Sequence, residues 1–376
     1  MTGDRETSGD GRNIDPEVGI LEGEASRMAV PDQRGRGEGA VPYAVWPDVP
    51  TQPPREPGDI TYYDRPILKE PVWIWAVPAY FYAGGVAGAA AVLGAAAQVA
   101  DDGDLRDLVV RSRWMAAAGG AVGAGLLIYD LGRPERFLNM LRVFRPTSPM
   151  SVGSWILAAA GPLTAGSAVL SRRRGFLRRV GDLAGMLAGL VGMPLTGYTA
   201  VLLSNTAVPL WQETRRSLPV AFTASGMTAA ASLLDLMDLD ERSERAVNRF
   251  GVIGKVAEIA AMRAVEREAD RVQRVGRPLH EGVGGGLWRA SKVMTGASLA
   301  LSLLPVRRRA ARTTAGLLGT AGALAMRFAV FHAGKASSRD PRATFQQQRS
   351  GHGGVEVTDG PAVTGPGRRA TEPAPR

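Results

Sequence analysis

The chain has 376 residues and a formal net charge of +9, with 45 Lys and Arg against 36 Asp and Glu. It contains no cysteine, which excludes disulfides, thiolate metal sites, covalently attached haem and an iron–sulfur cluster held by the chain itself. Its three histidines form no pattern of facing haem ligands, and no basic module with interleaved aromatic residues indicates nucleic-acid binding.

Polar residues are concentrated at the two ends of the chain. Residues 1–60 and 334–376 hold much of the proline, glycine and charge, whereas the long apolar runs lie between them. Such composition is typical of disorder, because too little apolar surface is available to form a core. The sequence therefore predicts a disordered N-terminal tail (1–60), a membrane domain (61–333) and a disordered C-terminal tail (334–376). No cleaved signal peptide is expected, because no hydrophobic run precedes residue 72.

The middle of the chain contains five long segments without a charged residue. A helix that crosses the bilayer needs about 20 mostly apolar residues, because the hydrocarbon core is about 30 Å thick and each residue rises 1.5 Å. Prolines inside these segments are compatible with helices, since neighbouring membrane helices can satisfy the freed backbone groups. The sequence predicts membrane-spanning helices at 72–100, 114–129, 146–171, 183–212 and 217–234.

Three further apolar segments carry a few charges, at 250–265, 287–306 and 313–333. Each is compatible with an amphipathic helix on the membrane surface. Spanning helices are favoured, because the charges are few and the interior of a bundle can shelter them. The predicted fold is an all-α integral membrane protein with about eight transmembrane helices in a bundle.

Alternate threading of these helices defines two membrane faces: side A, where the first helix begins, and side B opposite. Polar and aromatic residues from the first, second and fourth helices then meet at side A, namely Trp75, Tyr80, Asp130, Arg136 and Tyr198. This convergence predicts an opening for a flat amphipathic ligand. An interfacial aromatic belt with ordinary loop caps is the alternative. Asp130 and Arg136 flank a Gly-Arg-Pro turn and either stabilise that loop as an ion pair or tune a proton-accepting site.

A second candidate site lies inside the sixth apolar segment. Lys255 and Glu258 are three residues apart and share a helix face. A buried lysine costs about 2.5 to 3.5 kcal/mol on insertion scales, so a function in proton transfer is the leading hypothesis for this pair. In that hypothesis Asp235 extends the route for protons from this pair toward side B. A structural pair that bridges to another helix is the alternative.

Three stretches of the chain resemble the NrfD family, the polysulphide-reductase-like membrane subunits. They read YDRPILKEPVWIWAVPAYFYAGG at 63–85, YDLGRPERFLNMLRVFRPTSPMSVGSW at 129–155 and GYTAVLLSNTAVPLWQETRRSLP at 197–219. The likeness extends over about residues 62–333. It implies an eight-helix, quinone-interacting subunit without metal centres, with a ferredoxin-like iron–sulfur subunit and a molybdopterin catalytic subunit as partners.

The resemblance also implies roles for individual residues. Tyr198 is similar to a quinone-contacting tyrosine of the family, and Trp75, Tyr80, Asp130 and Arg136 lie in matching motifs. In this interpretation Asp130 exchanges protons and Arg136 favours its charged form. The chain departs from the family at Ile74 and Ala76, where many members carry acidic residues, and at Gln212, where histidine is common.

The predicted function is that of a subunit without its own catalytic centre, in the plasma membrane of a bacterium. It binds menaquinone or its quinol and exchanges electrons with the iron–sulfur partner. Menaquinone is the form expected for a Gram-positive source. A passive anchor without quinone chemistry is the first alternative, which the departures at Ile74 and Ala76 favour. A solute transporter is the second, motivated by the intramembrane charges. The loop arginines leave the orientation open, with a weak preference for side B as the cytoplasmic face.

Overall fold

The computed structural model describes residues 13–14, 21–22, 67–100, 103–132, 135–304 and 309–344, and leaves out the side chains of residues 13–14, 21–22, 136 and 138. In the N-terminal tail it contains one short antiparallel pair, β1 (Asn13–Ile14) and β2 (Leu21–Glu22). The predicted start of the C-terminal tail at residue 334 does not coincide with the end of the last long helix, which continues to Arg339, and residues 341–344 are helical as well. The rest of both tails lies outside the described residues, so the predicted disorder there stays a prediction.

The other elements in the described residues are helices. In chain order they are α1 (Ala76–Ala100), α2 (Arg106–Asp130), α3 (Arg136–Asn139), α4 (Pro149–Leu170), α5 (Phe176–Ser204), α6 (Pro209–Glu213), α7 (Ser217–Asp235), α8 (Glu241–Ala269), α9 (Gln273–Gly276), a 3₁₀ turn (Arg277–Leu279), α10 (Gly282–Leu303) and α11 (Arg309–Arg339). Within the described ranges, eight of these helices have 19 or more residues.

Five of the long helices, α1, α4, α5, α7 and α11, are long and apolar enough to cross a membrane. The predicted all-α membrane bundle is confirmed, and the chain is a multi-pass membrane protein. The helix over the weak segment 313–333 is among the five. The helices over 114–129, 250–265 and 287–306 are present as α2, α8 and α10, but their crossing of the membrane stays a prediction.

Local sequence explains where several helices begin and end. Ser148 caps α4 by accepting a hydrogen bond from the Ser151 amide, and a proline follows at the first helical position. The predicted end of the fourth span at residue 212 was wrong, because α5 ends at Ser204. Pro209 starts the separate helix α6, since proline fits the first turn of a new helix but disrupts the interior of a continuing one.

The long helices form two similar halves: α1, α2, α4 and α5 in the first, and α7, α8, α10 and α11 in the second. In each half the first helix packs on the second and the fourth, and the third helix packs on the same two. The halves meet through α1, which contacts α7 and α11, and through α5, which contacts α7. Helices α1 and α7 are therefore central to the bundle.

Small residues allow these central helices to approach closely. A Cβ atom added to Gly88 of α1 would lie 2.5 Å from the Thr196 hydroxyl and 2.7 Å from the Gly192 carbonyl oxygen, both on α5. Close backbone contact is the main way to gain packing energy in a membrane, because lipid provides no hydrophobic drive for helix association. The close α1–α5 contact thus sets the distance between these two helices in the first half.

Candidate functional site

An apolar cavity of about 200 Å³ lies in the first half, between α1, α2, α4 and α5. Gly120, Leu157 and Leu195 line its walls, and Phe137 of α3 covers it. Among the described residues that line it, Thr164 has the one polar side chain, and its hydroxyl already donates to the Ala160 carbonyl at 2.8 Å. The cavity therefore suits a hydrocarbon group rather than a polar one.

Tyr198 lies toward side A from this cavity, although it is not among the residues that line it. It follows Leu195 by three residues on α5, about one helical turn closer to side A. Its ring packs on Gly153 of α4, where an added Cβ would lie 2.5 Å from the tyrosine Cε1. The hydroxyl donates a hydrogen bond to the Pro149 carbonyl. The start of α4 thus holds the Tyr198 hydroxyl at the side A end of the first half, here called the mouth.

Trp75 lies beside the side A end of α2. Its ring is 6.2 Å from the ring of Tyr129, and 57% of Trp75 is exposed. Asp130 is the last residue of α2 and is half-buried. The structure thus brings Trp75 and Asp130 to one end of the first half, the end at which Tyr198 lies. The Arg136 side chain falls outside the described residues, so its pairing with Asp130 stays a prediction.

Tyr80 occupies a different position from the other predicted contacts. It is 8% exposed, and its ring packs against Gly123 of α2 and Phe81. Tyr80 is not among the residues that line the cavity. In this structure its ring fills the α1–α2 interface, so a direct ligand contact would require it to move.

The segment before α1 is fixed by buried contacts. Glu70 is 7% exposed and accepts hydrogen bonds from Arg339 at 2.7 and 3.0 Å, with Lys335 also 3.0 Å away. Trp73 stacks on the fully buried Trp211 at 5.8 Å. The two tryptophans of the W-x-W motif therefore differ, because Trp73 is a packing residue and Trp75 is exposed at the mouth.

The second half contains a column of buried charged residues. Lys255 and Glu258 of α8 are 1% and 0% exposed. The lysine ammonium donates to the Ser302 hydroxyl of α10 at 2.7 Å. Both carboxylate oxygens of Glu258 lack a hydrogen-bond partner of normal geometry among the described residues. The carboxylate faces the hydroxyl-bearing residues Ser225 and Thr228 of α7.

Arg327 of α11 ends this column near the centre of the bundle. It is 1% exposed, donates to the Phe222 carbonyl at 2.8 Å and stacks over the Phe222 ring at 3.8 Å. With Asp235 of α7 at the other end, the charges alternate in sign as Asp235, Lys255, Glu258 and Arg327. Alternation lowers the cost of burying each charge, because every ion has an opposite neighbour.

The column opens toward side B. A polar cavity of about 30 Å³ is lined there by Asp235, Asn248 and Ser302, together with the ion pair formed by Glu244 and Arg312. This space is close to the volume of one water molecule. Toward side A the fully buried Phe222 ring covers the Arg327 guanidinium.

A protein-family model described as "Polysulphide reductase, NrfD" matches residues 67–337. The chain belongs to the NrfD family. No curated protein matches the chain. The NrfD match begins before α1 and ends inside α11, so it contains the apolar cavity, the side A residues and the polar column. The resemblance drawn from the three sequence stretches is thereby confirmed, and NrfD proteins are membrane subunits that interact with quinone.

The cavity in the first half of this NrfD protein is small. Its volume of about 200 Å³ is below the roughly 300 to 1,000 Å³ typical of complete small-molecule sites. Its apolar lining suits a hydrocarbon group of that size. Within the described residues, no group of three or more acidic or histidine side chains is placed to hold a metal ion.

The NrfD fold separates the two sites that the sequence predicted. Helix α1 lies between them, because Gly85 faces Arg327 while Ala87 lines the apolar cavity. An added Cβ at Gly85 would lie 3.2 Å from the Arg327 guanidinium. Sequence reasoning left out Arg327 and Glu70 as site residues. Arg327 could have been predicted as a site residue, because it is a lone arginine in an otherwise apolar segment. No sequence pattern indicated that Glu70 would be buried between two cations.

Proposed function

We propose that this chain is the quinone-binding membrane subunit of an oxidoreductase of the molybdopterin and iron–sulfur type in a bacterial plasma membrane. The observation that carries the proposal is the apolar cavity of the first half, and the positions of Trp75, Asp130 and Tyr198 at the side A end of the same group of helices support it. An iron–sulfur partner would dock on side A, where a quinone head at the mouth lies closest to an external electron donor or acceptor.

Each residue at the mouth has a role that follows from its chemistry. A bound quinone supplies chemistry that moves two electrons and two protons. The Tyr198 hydroxyl, which donates to the Pro149 carbonyl in this structure, would donate a hydrogen bond to a carbonyl of a bound quinone. The Asp130 carboxylate takes up or releases a proton at the side A surface, and Arg136 favours its charged form. The exposed Trp75 ring offers a flat surface beside the fused rings of menaquinone, the carrier we expect.

Tyr80 has a less direct role in this proposal. Its buried ring fixes the spacing of α1 and α2, the two helices that present Trp75 and Asp130 at the mouth. It contacts a quinone only after moving from the interface. A change at Tyr80 is therefore expected to affect folding as well as quinone binding.

The quinone proposal is tested on the purified complex with its partners. Asp130→Asn and Tyr198→Phe should each lower quinol-dependent turnover by at least tenfold, since a positioned acid–base group typically contributes 10² to 10⁴. Asp107→Asn is the matched control on the same helix, because Asp107 lies at the side B end and pairs with Arg111 at 2.6 Å. Solvent extraction should recover bound menaquinone. If the complex assembles without bound quinone and shows no quinol-dependent turnover even in the parent chain, the subunit is a passive anchor; if turnover is present and neither variant lowers it, the assigned residues are wrong.

We also propose that Lys255 and Glu258, with Asp235 and Arg327, move protons from side B into the bundle. The alternating charges and the unbonded Glu258 carboxylate support this role. Because α1 separates the column from the apolar cavity, the column acts on the quinone site through electrostatic coupling across α1 or through motion of that helix. The two sites are therefore expected to respond to different substitutions.

Proton uptake from side B tests the column independently of quinone binding. In vesicles that contain the complex, Glu258→Gln should abolish uptake from side B, because the amide cannot carry a proton at neutral pH. Glu241→Gln is the control on the same helix, since 91% of the Glu241 side chain is exposed. Unchanged uptake in Glu258→Gln would leave Lys255 and Glu258 as a purely structural pair.

A further inference from the structure

Five arginines are clustered on side B at the junction of α4 and α5. Arg172, Arg173, Arg174, Arg178 and Arg179 are all exposed, and no acidic residue lies between positions 171 and 181. The next acid along the chain, Asp182, is held by Arg113 at 2.9 Å and by Arg106 at 3.1 Å. The cluster is therefore a surface of concentrated positive charge at the membrane boundary.

Two of the five arginines have partners within the protein. Arg178 lies 3.7 Å from Asp182, and the Arg172 guanidinium lies 5.5 Å from the centre of the Trp114 ring. The other three, Arg173, Arg174 and Arg179, form no ion pair with any described residue. Exposed like charges at this density repel each other, so an external anion that binds all three would relieve the repulsion.

An exposed apolar strip continues from the arginines along α5. Its members are spaced four or three residues apart and so lie on one face of the helix. They are 76% to 38% exposed: Phe176, Val180, Leu183, Leu187 and Leu190. From the first to the last, the strip is about 21 Å long at 1.5 Å per residue, more than the roughly 15 Å of one leaflet of the hydrocarbon core.

We propose that this surface, Arg173, Arg174 and Arg179 with the strip below them, is a binding site for an anionic phospholipid. The arginines bind the phosphate of the headgroup, and an acyl chain lies along α5. An acidic protein or a nucleic acid would pair with the arginines but would leave Phe176 and the strip uncovered. A zwitterionic lipid would cover the strip, but the net charge of its headgroup is zero. Only an anionic lipid matches both parts of the surface.

The test is lipid retention by the purified full chain. The probes are phosphatidylglycerol and phosphatidylcholine with the same acyl chains, and bound lipid is counted by native mass spectrometry. The triple variant R173Q/R174Q/R179Q should bind phosphatidylglycerol roughly a hundredfold more weakly, because each arginine near a lipid surface contributes about fivefold. The charge-matched control is R263Q/R267Q/R271Q on side A, where acidic residues are interleaved with the arginines.

A second variant separates lipid from other anions. F176S/L183S leaves every arginine in place, and it should weaken phosphatidylglycerol binding while leaving the binding of inorganic phosphate unchanged. The proposal is overturned if the arginine triple variant retains phosphatidylglycerol as the parent chain does, or if phosphatidylcholine is retained equally well. It is also overturned if a short DNA oligonucleotide displaces phosphatidylglycerol stoichiometrically, which would make the patch a surface for a soluble polyanion.

Discussion

Filling the apolar cavity should weaken quinone binding without disturbing the rest of the bundle. Gly120 of α2 lines the cavity, and a Cβ added there would meet only the Thr164 hydroxyl, at 3.9 Å. Leucine at this position adds four carbon atoms. At about 30 Å³ each, similar to the share of a water molecule in the liquid, they take up roughly 120 Å³. That is more than half of the cavity volume of about 200 Å³.

A quinone side chain must then compete with the leucine for the same space. Overpacking a well-packed site costs about 1 to 3 kcal/mol, so Gly120→Leu should weaken quinone binding roughly 5- to 150-fold. The assay is quenching of the intrinsic tryptophan fluorescence of the purified chain by a soluble menaquinone analogue. Gly125→Leu is the matched control, because Gly125 is exposed on the same helix with nothing within 4 Å of an added Cβ.

Both glycine variants gain the same helix propensity, so a difference between them reports the cavity alone. Equal affinities in Gly120→Leu, Gly125→Leu and the parent chain would show that quinone does not enter this cavity. The assignment of the first half as the quinone site would then be wrong. A loss of affinity in both variants would place the ligand on the lipid-facing surface of α2 instead.

Three further changes test the packing around the site. Gly334→Ala forces a methyl group into the ring of Trp211, so unfolding should become easier by about 1 to 3 kcal/mol in thermal denaturation of the purified chain. Glu70→Gln removes the carboxylate that pairs with Lys335 and Arg339 of α11, so the free energy of unfolding should fall by roughly 1 to 3 kcal/mol. The segment before α1 should also become more accessible, which limited proteolysis measures. Asp240 caps α8, and hydrogen bonding from Ser243 lowers the pKa of its carboxyl group. The Asp240 carboxylate should contribute its full stabilisation above the unfolded pKa of about 3.9, and this stabilisation should be lost as the pH falls through the lower pKa of the folded state. Unfolding curves at pH 3 and pH 6 measure this pH dependence, and Asp240→Asn should remove it.

Local composition was sufficient to predict the membrane helices. The uncharged runs at 72–100 and 217–234 must be helical in lipid, because only a helix satisfies every backbone hydrogen bond within one segment. The absence of cysteine is likewise visible without a structure. The motifs around Trp75, Asp130 and Tyr198 were sufficient to identify the family. Alternate threading also placed these three residues on one side of the membrane, since each helix reverses direction.

Contacts between helices could not be predicted in this way, because they depend on which faces pack together. Trp73 and Trp75 are two residues apart, yet Trp73 packs against the core because it stacks on Trp211, whereas Trp75 is exposed. Arg327 acquires its place next to Glu258 only when α11 packs on α7. The separation of the apolar cavity from the polar column depends on α1 lying between them, and that position follows from close packing at glycines rather than from any property of a single segment.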